Sequence, residues 1–144
     1  MSFSMTDPAV TTGEVISADG TTIGYRMLGS GPRVALVHGA MSSGYHHLQL
    51  ARLLADRFTV YLPDRRGRGR SGPYRPHDDL DTEVEDLAAL LEHGDIDNVF
   101  GLSSGADICL EAALRLPRIR RGSPTPRRPA RRWTASSGHW PTAT

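Results

Sequence analysis

The sequence predicts an α/β fold: a mostly parallel sheet that begins with an antiparallel N-terminal hairpin, about five strands and three helices in all. Three observations carry that prediction. Apolar runs without alternation recur at 33–37, 58–62 and 98–102, as in strands buried on both faces. A segment with helical spacing of apolar residues follows each run. Short loops join them, giving the strand–helix alternation of a parallel sheet with right-handed crossovers.

The elements follow in order. Residues 13–17 and 21–27 flank Asp19-Gly20, a strong hairpin-turn dipeptide. Gly29-Ser30-Gly31-Pro32 breaks the chain before the strand at 33–37, which ends at His38-Gly39. Leu48, Leu50, Ala51, Leu53, Leu54 and Ala55 give residues 46–56 a broad apolar helical face. After the strand at 58–62, the glycines of residues 63–72 demand a loop. Thr82-Glu83-Val84-Glu85 matches a helix capping box. Leu80, Val84, Leu87, Ala88 and Leu91 then recur at helical spacing up to Gly94. A strand at 98–102 and a helix at 104–116, stopped by Pro117, complete the pattern.

Composition narrows the function classes. A chain of 144 residues, 38% hydrophobic and 23% charged, holds one domain of ordinary size. Its formal charge of +1 hides a split. Residues 1–117 carry all 16 acids against 10 arginines, whereas residues 118–144 carry seven arginines and no acid. All 17 basic residues are arginine. No run approaches 18 apolar residues, and residues 1–10 lack a basic start followed by an apolar run. These features predict a cytoplasmic protein with no membrane association. The single cysteine, Cys109, excludes an intramolecular disulfide and any multi-cysteine metal site. The six histidines are scattered, and neither a metal nor an organic cofactor is expected.

The chemistry centres on Gly101-Leu102-Ser103-Ser104-Gly105, a G-x-S-x-G motif between an apolar strand and a helix. A sharp turn there lifts the Ser103 hydroxyl above the sheet, and small residues two positions either side avoid backbone clashes. The following helix directs its N-terminus at the site and favours developing negative charge. The alternative is a glycine-rich turn with a capping serine. His38-Gly39-Ala40 ends the central strand, so its backbone can complete an oxyanion hole. The donors are then the Ser104 N–H and the Ala40 N–H, with Met41 as the alternative to Ala40. His38 is read as ordering this loop, because it precedes the serine whereas the triad order in this architecture is Ser, acid, His.

Leu36-Val37-His38-Gly39-Ala40, Asp64-Arg65-Arg66-Gly67-Arg68-Gly69-Arg70-Ser71 and Gly101-Leu102-Ser103-Ser104-Gly105 together resemble the N-terminal half of an α/β-hydrolase-fold protein, over about residues 13–117. The resemblance implies a serine nucleophile, Ser103, acting on a small-molecule ester, amide, thioester or related carbonyl compound. Relatives with aspartate at the elbow hydrolyse carbon–halogen bonds or epoxides, and Ser103 argues against that branch. Asp64 and Arg66 are expected to tie the arginine-rich loop together, with His38, Gly39, Gly101 and Gly105 supporting the site. Asp64 belongs to the loop motif and not to a triad. Asp107 and Glu111 are not placed to orient a base, and Cys109 is read as a buried helix residue. Met41, Tyr45 and Tyr74 are candidates to touch substrate from their loop positions. The arginine-rich loop lacks the flanking aromatics of a nucleic-acid site apart from Tyr74, so no nucleic acid is expected.

The family pattern breaks after Pro117. Residues 1–12 are read as a flexible N-terminus. Residues 118–144 are read as a disordered Arg/Pro-rich tail, translated out of frame from a GC-rich gene. The competing reading of the tail is a nucleic-acid-binding segment. A triad acid and histidine are missing from the pattern, and His139 is not expected to serve as base. The family strand order, 1-2-4-3-5-6-7-8, would then leave the serine-bearing fifth strand at an open apolar edge, prone to self-association. Such a chain is expected to be poorly soluble and nearly inactive. A non-catalytic fragment of the same fold is the alternative to a hydrolase.

Overall fold

The computed structural model describes residues 8–120 and 133–136. Their six strands form one sheet in the order β1-β2-β4-β3-β5-β6. Strands β1 (Thr11–Ile16) and β2 (Thr22–Gly29) form the antiparallel hairpin, with Glu14 opposite Gly24. β2 pairs antiparallel with β4 (Thr59–Pro63). β4, β3 (Arg33–Val37) and β5 (Asn98–Leu102) run parallel, with Ala35 opposite both Tyr61 and Val99.

β3 and β4 are mostly buried on both faces, as their unbroken apolar runs require, whereas Asn98, Phe100 and Leu102 leave one face of β5 half-buried. Ala35 and Val37 face a core layer with Leu87, Leu90 and Leu91 of α2 (Leu80–Gly94) and Ile108 and Ala112 of α3 (Ser104–Arg115). Leu36, one residue out of phase, faces Ala51 of α1 (Leu48–Leu54) on the other side, with Leu28, Val60 and Leu62. Three layers result, helix–sheet–helix, and the loops after β3, β4 and β5 meet at one end of the sheet.

Several elements differ from the sequence reading. A 3-10 turn at Gly44–His47 precedes α1, whose buried side is narrower than expected: Leu50 is 37% and Leu53 79% exposed. The cap of α2 is Asp79, not Thr82. Asp79 Oδ1 accepts the Thr82 N–H at 3.1 Å, and the Asp79 N–H donates back to Thr82 Oγ1 at 3.2 Å. The carboxylate three residues earlier starts the helix one turn sooner than the Thr82–Glu85 pattern suggests. Pro117 both ends α3 and opens α4 (Pro117–Arg120), since its missing N–H costs nothing in a first helical turn.

The largest difference is at the expected open edge. β5 has a parallel neighbour there, β6 (Trp133–Ser136), with Val99 opposite Trp133 and Leu102 opposite Ser136. Four residues are too few to display alternation, and the unpaired groups of β5 supply the pairing that the local pattern does not announce. The readings of residues 1–7, 121–132 and 137–144, including His139, lie outside the described residues. No helix of the described residues is long and apolar enough to cross a membrane.

Candidate functional site

Ser103 stands between β5 and α3 with φ 54° and ψ −125°. Among the described non-glycine residues only Asp95, at the C-terminal end of α2, shares a positive φ. Such a conformation costs of order 1–3 kcal/mol and persists only where its surroundings enforce it. Here they do. A Cβ on Gly105 would run into the carbonyl oxygens of Val37 and His38. One on Gly101 would strike the Gly105 carbonyl and lie 2.6 Å from the Ala106 Cα. The strand, turn and helix therefore pack backbone to backbone, and the Ala106 N–H closes the turn on the Ser103 carbonyl at 2.8 Å. The Ser103 side chain is exposed, and its hydroxyl makes no hydrogen bond among the described residues.

The loop after β3 lies against it. A Cβ on Gly39 would sit 3.2 Å from the Ser103 Cβ. Ala40 follows, and Ser104 is the first residue of α3, whose leading N–H groups have no partner within the helix. His38 is fully buried. Its Nε2 accepts the Arg65 backbone N–H at 2.9 Å, so its Nδ1 carries the proton and donates to the Gly39 carbonyl at 2.7 Å. Burial lowers its pKa to about 4, the neighbouring Arg65 and Arg68 charges adding to the effect. The ring is thus neutral at pH 7 with both nitrogens engaged, and the peptide it grips is the one that carries the Ala40 N–H.

The loop after β4 is held through its two motif residues, each with its own set of partners. Asp64 is fully buried and accepts from the Gly44 N–H at 2.8 Å and the Arg70 N–H at 2.9 Å. Its carboxylate also pairs with Arg26 at 3.3 Å. Arg66, also fully buried, turns the other way. It makes two 2.7 Å bonds to Asp86, one of 2.9 Å to Asp78 and another of 2.9 Å to Asp19. These carboxylates raise its pKa, the Asp86 hydrogen bonds most.

Arg65 and Glu83 carry no signal in the sequence pattern. Arg65 reaches Glu83 on α2 through Nε and Nη2, at 2.7 and 2.8 Å, and its Nη1 reaches the Ser104 hydroxyl at 2.8 Å. Nothing local pairs residues 18 apart in a loop and a helix. Arg65 and Glu83 also line a small cavity of about 20 Å3 with Val37, Pro63, Leu87 and Ile108 among others, and Ser103 is not on its wall. Of the candidates for substrate contact, Met41 is 98% exposed, Tyr45 lies with its ring 5.7 Å from the Arg26 guanidinium, and Tyr74 donates to the Asp78 carbonyl. Cys109 is buried in the core, where desolvation pushes its thiol up to about 12. Asp107 is exposed, and Glu111 pairs with Arg115. No group of three or more metal-ligating side chains converges among the described residues.

The chain is similar to known proteins in both sequence and fold. Residues 34–143 match the sequence model of the alpha/beta hydrolase family. The chain belongs to the alpha/beta hydrolase family. The matched range includes the arginine-rich stretch after Pro117. This alpha/beta hydrolase chain is 38% identical over 114 residues to an uncharacterized hydrolase of Bacillus subtilis, covering 71% of the chain and 39% of that protein. An alpha/beta hydrolase structure from Sphaerobacter thermophilus matches at 48% identity and TM-score 0.66, covering 70% of the chain and 39% of that protein. An epoxide hydrolase from an endophytic Streptomyces matches at 28% identity and TM-score 0.70, covering 76% and 34%. The chain thus spans roughly two fifths or less of the length of these relatives.

Proposed function

We propose that Ser103 is the nucleophile of a hydrolase acting on an ester, amide or related carbonyl compound. Its Oγ attacks the carbonyl carbon, and the Ala40 and Ser104 N–H groups receive the resulting oxyanion. The tetrahedral adduct collapses by expelling the alcohol or amine, and water then releases the acyl group. The observation that carries this reading is the positive φ of Ser103, held between Gly101 and Gly105 at the mouth of β5. Ser103 in place of a carboxylate also separates this chain from epoxide opening through an aspartate ester. A base must take the Oγ proton, and we place it outside the described residues, none of which hydrogen-bonds to the Ser103 hydroxyl.

A fluorophosphonate probe tests the proposal, because it forms a Ser Oγ–P bond and releases fluoride only at an activated serine. Labelling is expected at Ser103 and is expected to vanish in Ser103→Ala. Labelling that survives that substitution sinks the assignment. The second reading, a non-catalytic member of the same fold, is favoured by the unbonded Ser103 hydroxyl, and a wholly unlabelled protein would support it.

A further inference from the structure

Two loops must hold one spacing if the Ala40 and Ser104 amides are to receive the same oxyanion, because useful donors lie within about 2.7–3.1 Å of it. They come from different strands, β3 and β5, and different loops. One side chain touches both. Arg65 Nη1 donates to the His38 carbonyl at 3.3 Å and to the Ser104 hydroxyl at 2.8 Å. The rest of its guanidinium, Nε and Nη2, is clamped by both carboxylate oxygens of Glu83. The Arg65 backbone N–H meanwhile donates to His38 Nε2. Both side chains of the pair are about nine-tenths buried, at 10% and 9% exposure.

We propose that Arg65 is a positioning residue for Ser103, its guanidinium fixing the distance between the His38–Ala40 loop and the start of α3 while Glu83 fixes the guanidinium. This inference rests on the nucleophile role proposed above. The division of donors suits arginine alone: a planar fork offers one edge to a carboxylate and keeps Nη1 for two acceptors. Lysine has the charge but presents all its donors from one atom. If the pair only fastened α2 to the sheet, the Glu83 contact would suffice and the bond to Ser104 would carry nothing. Ser104→Ala separates the two roles, since it removes the hydroxyl and leaves the ion pair and the Ser104 amide in place.

The test compares the parent chain, Arg65→Lys and Ser104→Ala by two readouts. The first is the fluorophosphonate reaction at Ser103. The maximal rate is expected to fall about tenfold in Ser104→Ala and about a hundredfold in Arg65→Lys, with the half-saturating reagent concentration unchanged. The second is amide hydrogen exchange at positions 65 and 106, whose N–H groups close this site on His38 Nε2 and the Ser103 carbonyl. Exchange there is expected to accelerate at least tenfold in both variants while the Asp64 amide, bonded to the Gly24 carbonyl, keeps its parent rate. Parent-like exchange at 65 and 106 in both variants overturns the proposal, as does parent-like labelling. An unlabelled parent defeats the nucleophile reading alone, and local exchange then decides whether Arg65 holds the two loops. Should Arg65→Lys fail to fold, Ser104→Ala alone decides between the two roles, because it leaves the buried pair intact.

Discussion

His38 shows how a single side chain is committed by its surroundings. Its two nitrogens are spent on the Arg65 N–H and the Gly39 carbonyl, and its pKa falls from 6.5 to about 4. Between those values the unfolded chain binds a proton that the folded chain refuses. Stability therefore decreases as pH falls from 6.5 toward 4, at a cost on the order of 3 kcal/mol once both values are passed. His38→Gln is expected to flatten the midpoint-against-pH curve in that window in thermal unfolding. A slope identical to the parent's would show that the ring accepts a proton in place. Ser103 is readable from the sequence because its neighbours at 101 and 105 must be glycine for the backbones to touch. The partners of Asp64 and Arg66 are not, because neither motif residue specifies which distant groups will meet it.

Secondary elements are recognisable wherever burial imposes a period. β5 occupies residues 98–102 and α2 ends at Gly94, both as the apolar spacing indicates. Their ends depend on subtler chemistry. Asp79 caps α2 by accepting the Thr82 N–H, and Asp79→Ala is expected to cost about 1 kcal/mol. Urea denaturation measures that loss, and Thr82→Ala should remove only the reciprocal bond and cost less. If Thr82→Ala proves the more damaging of the two, the helix begins where the Thr82–Glu85 pattern suggests. β6 marks the opposite limit. A four-residue strand carries no periodic signal of its own, and it is defined by the edge it covers.

The assembled molecule depends on one buried charge more than on any local preference. Arg66 joins the β1–β2 turn through Asp19, the segment before α2 through Asp78, and α2 itself through Asp86. Ser17 adds a 2.5 Å bond to Asp86 from the same turn. Arg66→Met leaves Asp78 and Asp86 buried without a counter-charge, and is expected to destabilise the fold by about 3–5 kcal/mol in urea denaturation. That is a large fraction of the total stability of a domain of this size. A loss below 1 kcal/mol would mean that the carboxylates find water or protonate freely. Asp19 and Asp78 are held below the usual carboxylate range, by the Arg66 hydrogen bond and by the Arg75 backbone N–H respectively. Their contribution is complete above about pH 4 and is lost as the pH drops through their folded values, beneath the window in which His38 acts.

Local sequence settles what depends on near neighbours in the chain. Apolar runs fix the buried strands, spacing fixes the faces of α2 and α3, and the two glycines around Ser103 fix the turn that exposes it. Contacts between residues far apart in the chain follow only from the folded arrangement. The sheet order brings the loops after β3 and β4 to the start of α3, and only there does Arg65 meet Ser104 and Glu83. The same order makes β6 the neighbour of β5. Hydrogen bonds and ion pairs act over a few ångströms, and the chain pattern does not encode which distant groups will come that close.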